Sequence, residues 1–181
     1  MNNFYWSGTV YKIQDRRKSR MKFSLAVVVM LAVFHSPSYS QKAVILVRHA
    51  EKLDESTDPP LSKVGESRSH LLAKFLKDAG ITAIYTSEYQ RTIKTAGPLA
   101  DSLKIKPVNI PAVDSEGLFN RIRTQNRNDI VLVVGHNNTV PALLKLFGYS
   151  VEITIPSDEY DNLFVLVPKE TGQPTVLRMR Y

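Results

Sequence analysis

The chain has 181 residues, of which 43% are hydrophobic and 23% charged, with no cysteine and a formal net charge of +7. This excludes a disulfide-stapled scaffold and suits one domain with a substantial core. The charge is unevenly placed: residues 1–40 hold six basic residues against Asp15 alone, while residues 41–181 hold 18 basic and 16 acidic, so the body is expected to bind no nucleic acid.

In chain order, residues 1–40 read as an export signal. Basic residues end at Lys22, "FSLAVVVMLAVF" forms an apolar stretch, and small residues at Ser38 and Ser40 mark a cleavage site. The apolar run is shorter than the ~20 residues that span a bilayer. Cleavage after Ser40 is therefore expected, with no stable membrane association afterwards and a periplasmic or secreted product. Met21 is a candidate true start, and an uncleaved anchor is the competing reading. Residues 41–181 form the expected second unit. "KAVILV" (42–47) is an unbroken apolar run, the mark of a strand buried on both faces. Residues 62–80 have helical apolar spacing with Ser62 as cap, and 81–86 read as a strand. Residues 88–103 read as a helix interrupted or kinked at Gly97-Pro98. A helix is predicted over 115–126, a strand over 129–135, a helix over 139–148, and strands over 162–168 and 175–181. Strands separated by helices predict an α/β fold: a single-domain, mostly parallel sheet with helices on both faces.

Such sheets bind ligands beyond the carboxyl ends of their strands. Singly, His49 reads as a satisfied strand-end histidine, His136 as a turn cap and Arg48 as a surface charge. Together they differ: "VILV" runs into Arg48 and His49, "VLVVG" into His136, and "AIYTS" into a helix with Arg91 in its first turn. A cation there opposes the helix dipole unless an anion sits nearby, and guanidinium forks suit phosphate oxygens. Three strand ends thus send two histidines and two arginines to one sheet edge. His70, inside the first long helix, reads as structural or solvated, and "RHAEK" lacks the spacing of a helical zinc site.

Four segments carry a resemblance: "LVRHAEK" (46–52), "PPLSKVGESRS" (59–69), "IYTSEYQRTIKTA" (84–96) and "LVVGHNNTVP" (132–141). In kind and order they resemble the motifs of the histidine phosphatase superfamily, which includes phosphoglycerate mutases and phosphohistidine phosphatases. The resemblance implies a phosphoglycerate mutase-like fold, a His49 that becomes phosphorylated, and a phosphate pocket of Arg48, Arg91 and His136. It implies neither metal nor cofactor. The proton donor would be an Asp or Glu outside the short motifs. Asp114 is slightly favoured, then Asp161, with Glu51 and Glu116 behind them and Asp158 and Glu159 clustered near Asp161. Ser87 is expected to cap the Arg91 helix or meet substrate, Asn137 to contact substrate, and Glu51 to orient or contact it. One departure is Ala50, where the superfamily usually has glycine. The expected function is exported, metal-independent hydrolysis of a small-molecule phosphomonoester. The alternatives are a phosphohistidine protein phosphatase, a mutase-like phosphotransferase and a non-catalytic phosphate-binding module.

Overall fold

Why the aliphatic run at 43–47 is buried on both faces is answered by its place in the sheet. The computed structural model describes residues 41–181; the expected export segment lies outside the described residues. Strand β1 (Ala43–Arg48) is followed by α1 (Lys63–Leu76), β2 (Ala83–Thr86), α2 (Gln90–Leu103), β3 (Val108–Asn109) and α3 (Ser115–Gln125). Then come β4 (Ile130–Gly135), α4 (Thr139–Leu146), β5 (Asn162–Val167) and β6 (Thr175–Arg180). The sheet order is β3-β2-β4-β1-β5-β6. The pairs β3–β2, β2–β4 and β4–β1 are parallel; β5 and β6 add an antiparallel edge.

Alternate residues of β1 face opposite layers, as a period of two requires. Val44 and Leu46 pack in one cluster with Leu118 and Ile122 of α3 and Val140, Leu143 and Leu144 of α4. Ile45 and Val47 pack in the other with Leu72 and Leu76 of α1 and Ala96, Leu99 and Ala100 of α2. Helices therefore cover both faces, as expected. A strand with core on either side has no polar face, so its sequence cannot alternate.

Of the two readings at Gly97-Pro98, interruption is corrected. The helix over Gly97-Pro98 is not interrupted: α2 runs unbroken from Gln90 to Leu103. Pro98 removes one helical hydrogen bond, but buried Thr95, Ala96, Leu99 and Ala100 hold that stretch against the core. The two-residue strand β3 carries no periodic signal and is defined by its pairing of Val108 with Tyr85. Ser62 does cap α1, accepting a hydrogen bond from the Gly65 N–H at 3.1 Å.

Topology creates the crevice. After β1 the chain crosses β4's place to reach β2, whereas after β4 it passes through α4 to β5 on the far side of β1. The connections leave the carboxyl ends of β1 and β4 in opposite directions, which opens a binding position there.

Candidate active site

Register places the two histidines. Arg48 lies opposite Gly135 in the parallel β1–β4 ladder, so the next residue of each strand is a histidine. The His49 N–H donates to the Gly135 carbonyl at 2.9 Å, and the two imidazole rings stand 5.3 Å apart, edge to face. Both residues are buried, yet both line a cleft of about 740 Å³ together with Arg48 and Arg91.

The His49 ring is oriented by its own turn. Nδ1 lies 2.8 Å from the Ala50 carbonyl oxygen. A carbonyl only accepts, so Nδ1 carries the proton and Nε2 keeps its lone pair. Burial pushes the His49 pKa down to about 3; the Ala50 carbonyl opposes this, while His136, Arg48 and Arg91 add to it. His136 is pushed down to about 4, by burial first and then by Arg91, with Glu88 opposing. Both imidazoles are therefore neutral at pH 7.

Ala50 is fully buried and its N–H donates to Thr95 Oγ1 at 2.9 Å. Among the described non-glycine residues only Lys104 and Asn128 have positive φ, so Ala50 sits in a backbone conformation open to alanine. The departure from glycine costs this site no backbone strain.

Arg48 is gripped from one side. Its Nη1 donates to the Pro156 and Glu159 carbonyls at 2.8 and 2.9 Å, and the Tyr160 ring lies 4.0 Å from Cζ. Its Nε is buried without a hydrogen-bond partner in the protein. A buried N–H that the protein leaves unpaired is a donor with capacity for an acceptor. Arg91 stacks over Tyr89 at 4.1 Å, and its Nη1 stands 4.0 Å from Asp58 Oδ1. That carboxylate also accepts the Gln90 N–H at 2.9 Å, where the N-cap residue Tyr89 provides no side-chain cap. The anion expected beside the Arg91 helix is thus supplied in part by Asp58. A loop residue 32 positions before the helix it caps cannot be recognised from local spacing.

The remaining residues separate. Ser87 is buried, with Oγ 2.9 Å from His136 Nε2 and 2.9 Å from Thr92 Oγ1. It holds the second imidazole, while Tyr89 takes the N-cap position expected of it. Asn137 is exposed and lines the cleft, as do Lys52 and Ser157. Glu51 does not line it: Arg68 donates to its carboxylate through Nε at 2.9 Å and Nη2 at 2.7 Å. Burial pushes Glu51 up, but this fork outweighs burial and holds the carboxyl below its usual range. Asp114 caps α3 by accepting the Gly117 N–H at 2.8 Å. It borders a neighbouring cavity of about 20 Å³, shared with Ser87 and His136, rather than the main cleft. Asp161 pairs with Arg180, as does Glu159, and His70 is exposed on α1. No Asp or Glu is among the residues lining the cleft, while Arg48, Lys52 and Arg91 are. Within the described residues no group of three or more His, Cys, Asp or Glu is arranged to hold a metal ion. The Tyr160 and Asp58 contacts span long sequence separations, so neither residue is flagged by a motif.

Known proteins resemble this chain in sequence and in fold. Residues 44–114 match the model of the histidine phosphatase superfamily (branch 1). A Yersinia enterocolitica protein named "Probable phosphoglycerate mutase GpmB" is 40% identical over 75 residues, which is 38% of this chain and 35% of that protein. The chain thus spans about a third of the length of the curated relatives it matches. Among solved structures, the protein histidine phosphatase SixA complexed with tungstate superposes with TM-score 0.56 and 23% identity, over 76% of this chain and 96% of that one. A mycobacterial glucosyl-3-phosphoglycerate phosphatase with inorganic phosphate gives 0.61 and 12%, over 77% and 96%. At these identities the structural likeness establishes the fold.

Proposed function

We infer that this chain acts as a member of the histidine phosphatase superfamily, whose model residues 44–114 match, and that residues 41–181 hydrolyse a phosphorylated small molecule through a phosphohistidine on His49. The observation that carries this reading is the Nδ1 bond to the Ala50 carbonyl, which leaves Nε2 as a neutral lone pair beside Arg48, Arg91 and His136. In the first step Nε2 attacks phosphorus, the N–P bond forms, and the bond to the leaving oxygen breaks as that oxygen takes a proton. Water then attacks the phosphohistidine, releasing phosphate and returning the electron pair to Nε2. The two guanidinium groups hold the equatorial oxygens, and bound phosphate draws a proton onto His136 by raising its pKa. The cluster supplies its own positive charge, so this reading assigns it no metal, and EDTA is expected to leave turnover unchanged.

Acid-labile, base-stable labelling under turnover tests the intermediate. Wild-type protein quenched during turnover of a phosphate-labelled aryl ester should carry label. His49→Ala should carry none, and its turnover should fall by roughly a thousandfold or more while phosphate binding persists. Unlabelled wild type during measurable turnover would sink the proposal; phosphate binding without turnover of any ester would support a binding module.

A second reading is favoured by the carboxylate-free lining of the cleft. A phosphoramidate or phosphohistidine is basic enough to take a proton from solvent before it binds, so that it leaves as a neutral amine or imidazole with no carboxylic acid beside it, whereas an alkyl phosphate needs one. Rates across leaving groups of graded basicity decide: a steep fall for alkyl esters beside fast phosphoramidate cleavage favours nitrogen-linked substrates. Equal rates favour an acid delivered from outside the cleft lining. Export is part of the same proposal and rests on the sequence of residues 1–40 alone. Recovery of protein outside the cytoplasm beginning at Gln41 would support it, and recovery of the uncleaved chain in the cytoplasm would not.

A further inference from the structure

The connection between α4 and β5, residues 147–161, contains no regular element, yet two of its carbonyls hold the Arg48 side chain. Both protons of Nη1 are consumed there, one by the Pro156 carbonyl and one by the Glu159 carbonyl. The Tyr160 ring covers one face of the guanidinium at 4.0 Å, and its centroid lies 6.0 Å from that of the His49 ring, tilted by 56°. A planar group tied along one amino nitrogen and covered on one face has no rotation left. Its remaining donors are Nε and Nη2, and Nε is the one left buried and unpaired. Those two nitrogens form one edge of the fork, the geometry that matches two oxygens of a tetrahedral anion.

The loop is held from outside on both sides of the tyrosine. The Glu159 carboxylate receives Asn162 Nδ2 at 2.8 Å and Arg180 Nη2 at 2.8 Å, with Arg178 Nη2 at 3.5 Å. Asp161 pairs with Arg180 Nη1, and its carbonyl accepts the Tyr181 N–H at 3.1 Å. The residues before and after Tyr160 are thus both pinned to the β6 edge, which fixes the ring's place over Arg48.

We propose that Tyr160 is a positioning residue: it clamps the Arg48 guanidinium so that its Nε–Nη2 edge is presented to the phosphate. This rests on the reading of the cleft as a phosphate site, and it assigns a task to a residue in none of the four sequence motifs. The Tyr160 hydroxyl also interacts with the guanidinium, but the clamp assigned here is the stacked ring, so phenylalanine should largely replace it.

The test uses the full chain, with inorganic phosphate and orthovanadate as probes. Tyr160→Leu should weaken phosphate and vanadate binding and raise KM by about tenfold with a smaller change in kcat, while Tyr160→Phe stays within about twofold of wild type. Arg180→Gln, at the exposed edge, loosens the loop without altering the ring and should weaken phosphate binding by about threefold. Its effect should vanish in the Tyr160→Leu background, which a purely structural role would not produce. If Tyr160→Leu does not fold, the Arg180→Gln affinity decides alone. Phosphate affinity unchanged in the folded variants would overturn the assignment, as would equal losses in the leucine and phenylalanine variants. Wild-type protein that binds phosphate tightly but never forms phosphohistidine would sink hydrolysis and leave the Tyr160 result to stand. Labelled wild type with Tyr160→Leu indistinguishable from it would do the reverse, and absence of phosphate binding in wild type overturns both.

Discussion

His49 titrates far from the ordinary histidine range because its imidazole is buried beside His136 and two arginines. Protonation at Nε2 removes the lone pair, so activity in the free enzyme should fall only as pH drops toward about 3, not through 6.5. After correction for the substrate's own second ionisation, kcat/KM for an aryl phosphate should show no enzymatic inflection between pH 6 and 7 on its acid side. An inflection there would mean that the nucleophile is solvated like an ordinary histidine. At this scale the sequence reveals residue types and misleads about partners. Glu51, two residues from His49, is taken by Arg68, seventeen positions away. Asp114 binds the N–H three residues on, a local cap that its position before a helix already permits.

Between elements, the turn after β1 and the start of α1 are joined by contacts without tolerance. A Cβ built on Gly65 would stand 2.2 Å from the Glu51 carbonyl oxygen, which itself accepts the Ser62 N–H at 2.9 Å. This glycine is needed for close approach rather than for a left-handed turn. Gly65→Ala should therefore destabilise the fold by about 1–3 kcal/mol, despite alanine's better helix propensity, and should shift the RH turn relative to α1. Thermal denaturation checks it; an equal or higher midpoint would show that the helix slides away at no cost. Helix positions were legible from periodicity and from caps such as Ser62. The unbroken course through Pro98 was not, since tertiary packing outweighs a local breaker there.

At the level of the whole molecule, burial of two neutral histidines makes stability depend on acid. Their folded-state pKa values, about 3 and about 4, lie below the unfolded value near 6.5, so the unfolded chain binds more protons between these limits. Stability is full above about pH 6.5 and is lost as pH falls toward 4, with each histidine contributing up to about 1.4 kcal/mol per pH unit. Urea midpoints measured from pH 7 to 4 should fall, and the slope should flatten in a His49→Asn, His136→Asn double variant. A double variant with the wild-type slope would assign the acid sensitivity elsewhere.

What the sequence determined by itself is the alternation of strands and helices and the types of residue that follow each strand, because burial on both faces and helical spacing are written in local periodicity. Convergence of Arg48, His49, Arg91 and His136 was inferable because parallel α/β sheets align their strand ends. Only tertiary structure decided the pairings: Arg48 opposite Gly135, Ser87 on His136, Asp58 at the Arg91 helix and Tyr160 over Arg48. Those contacts join segments up to 112 residues apart, and nothing in the local pattern of either segment registers the other until the sheet order has brought them together.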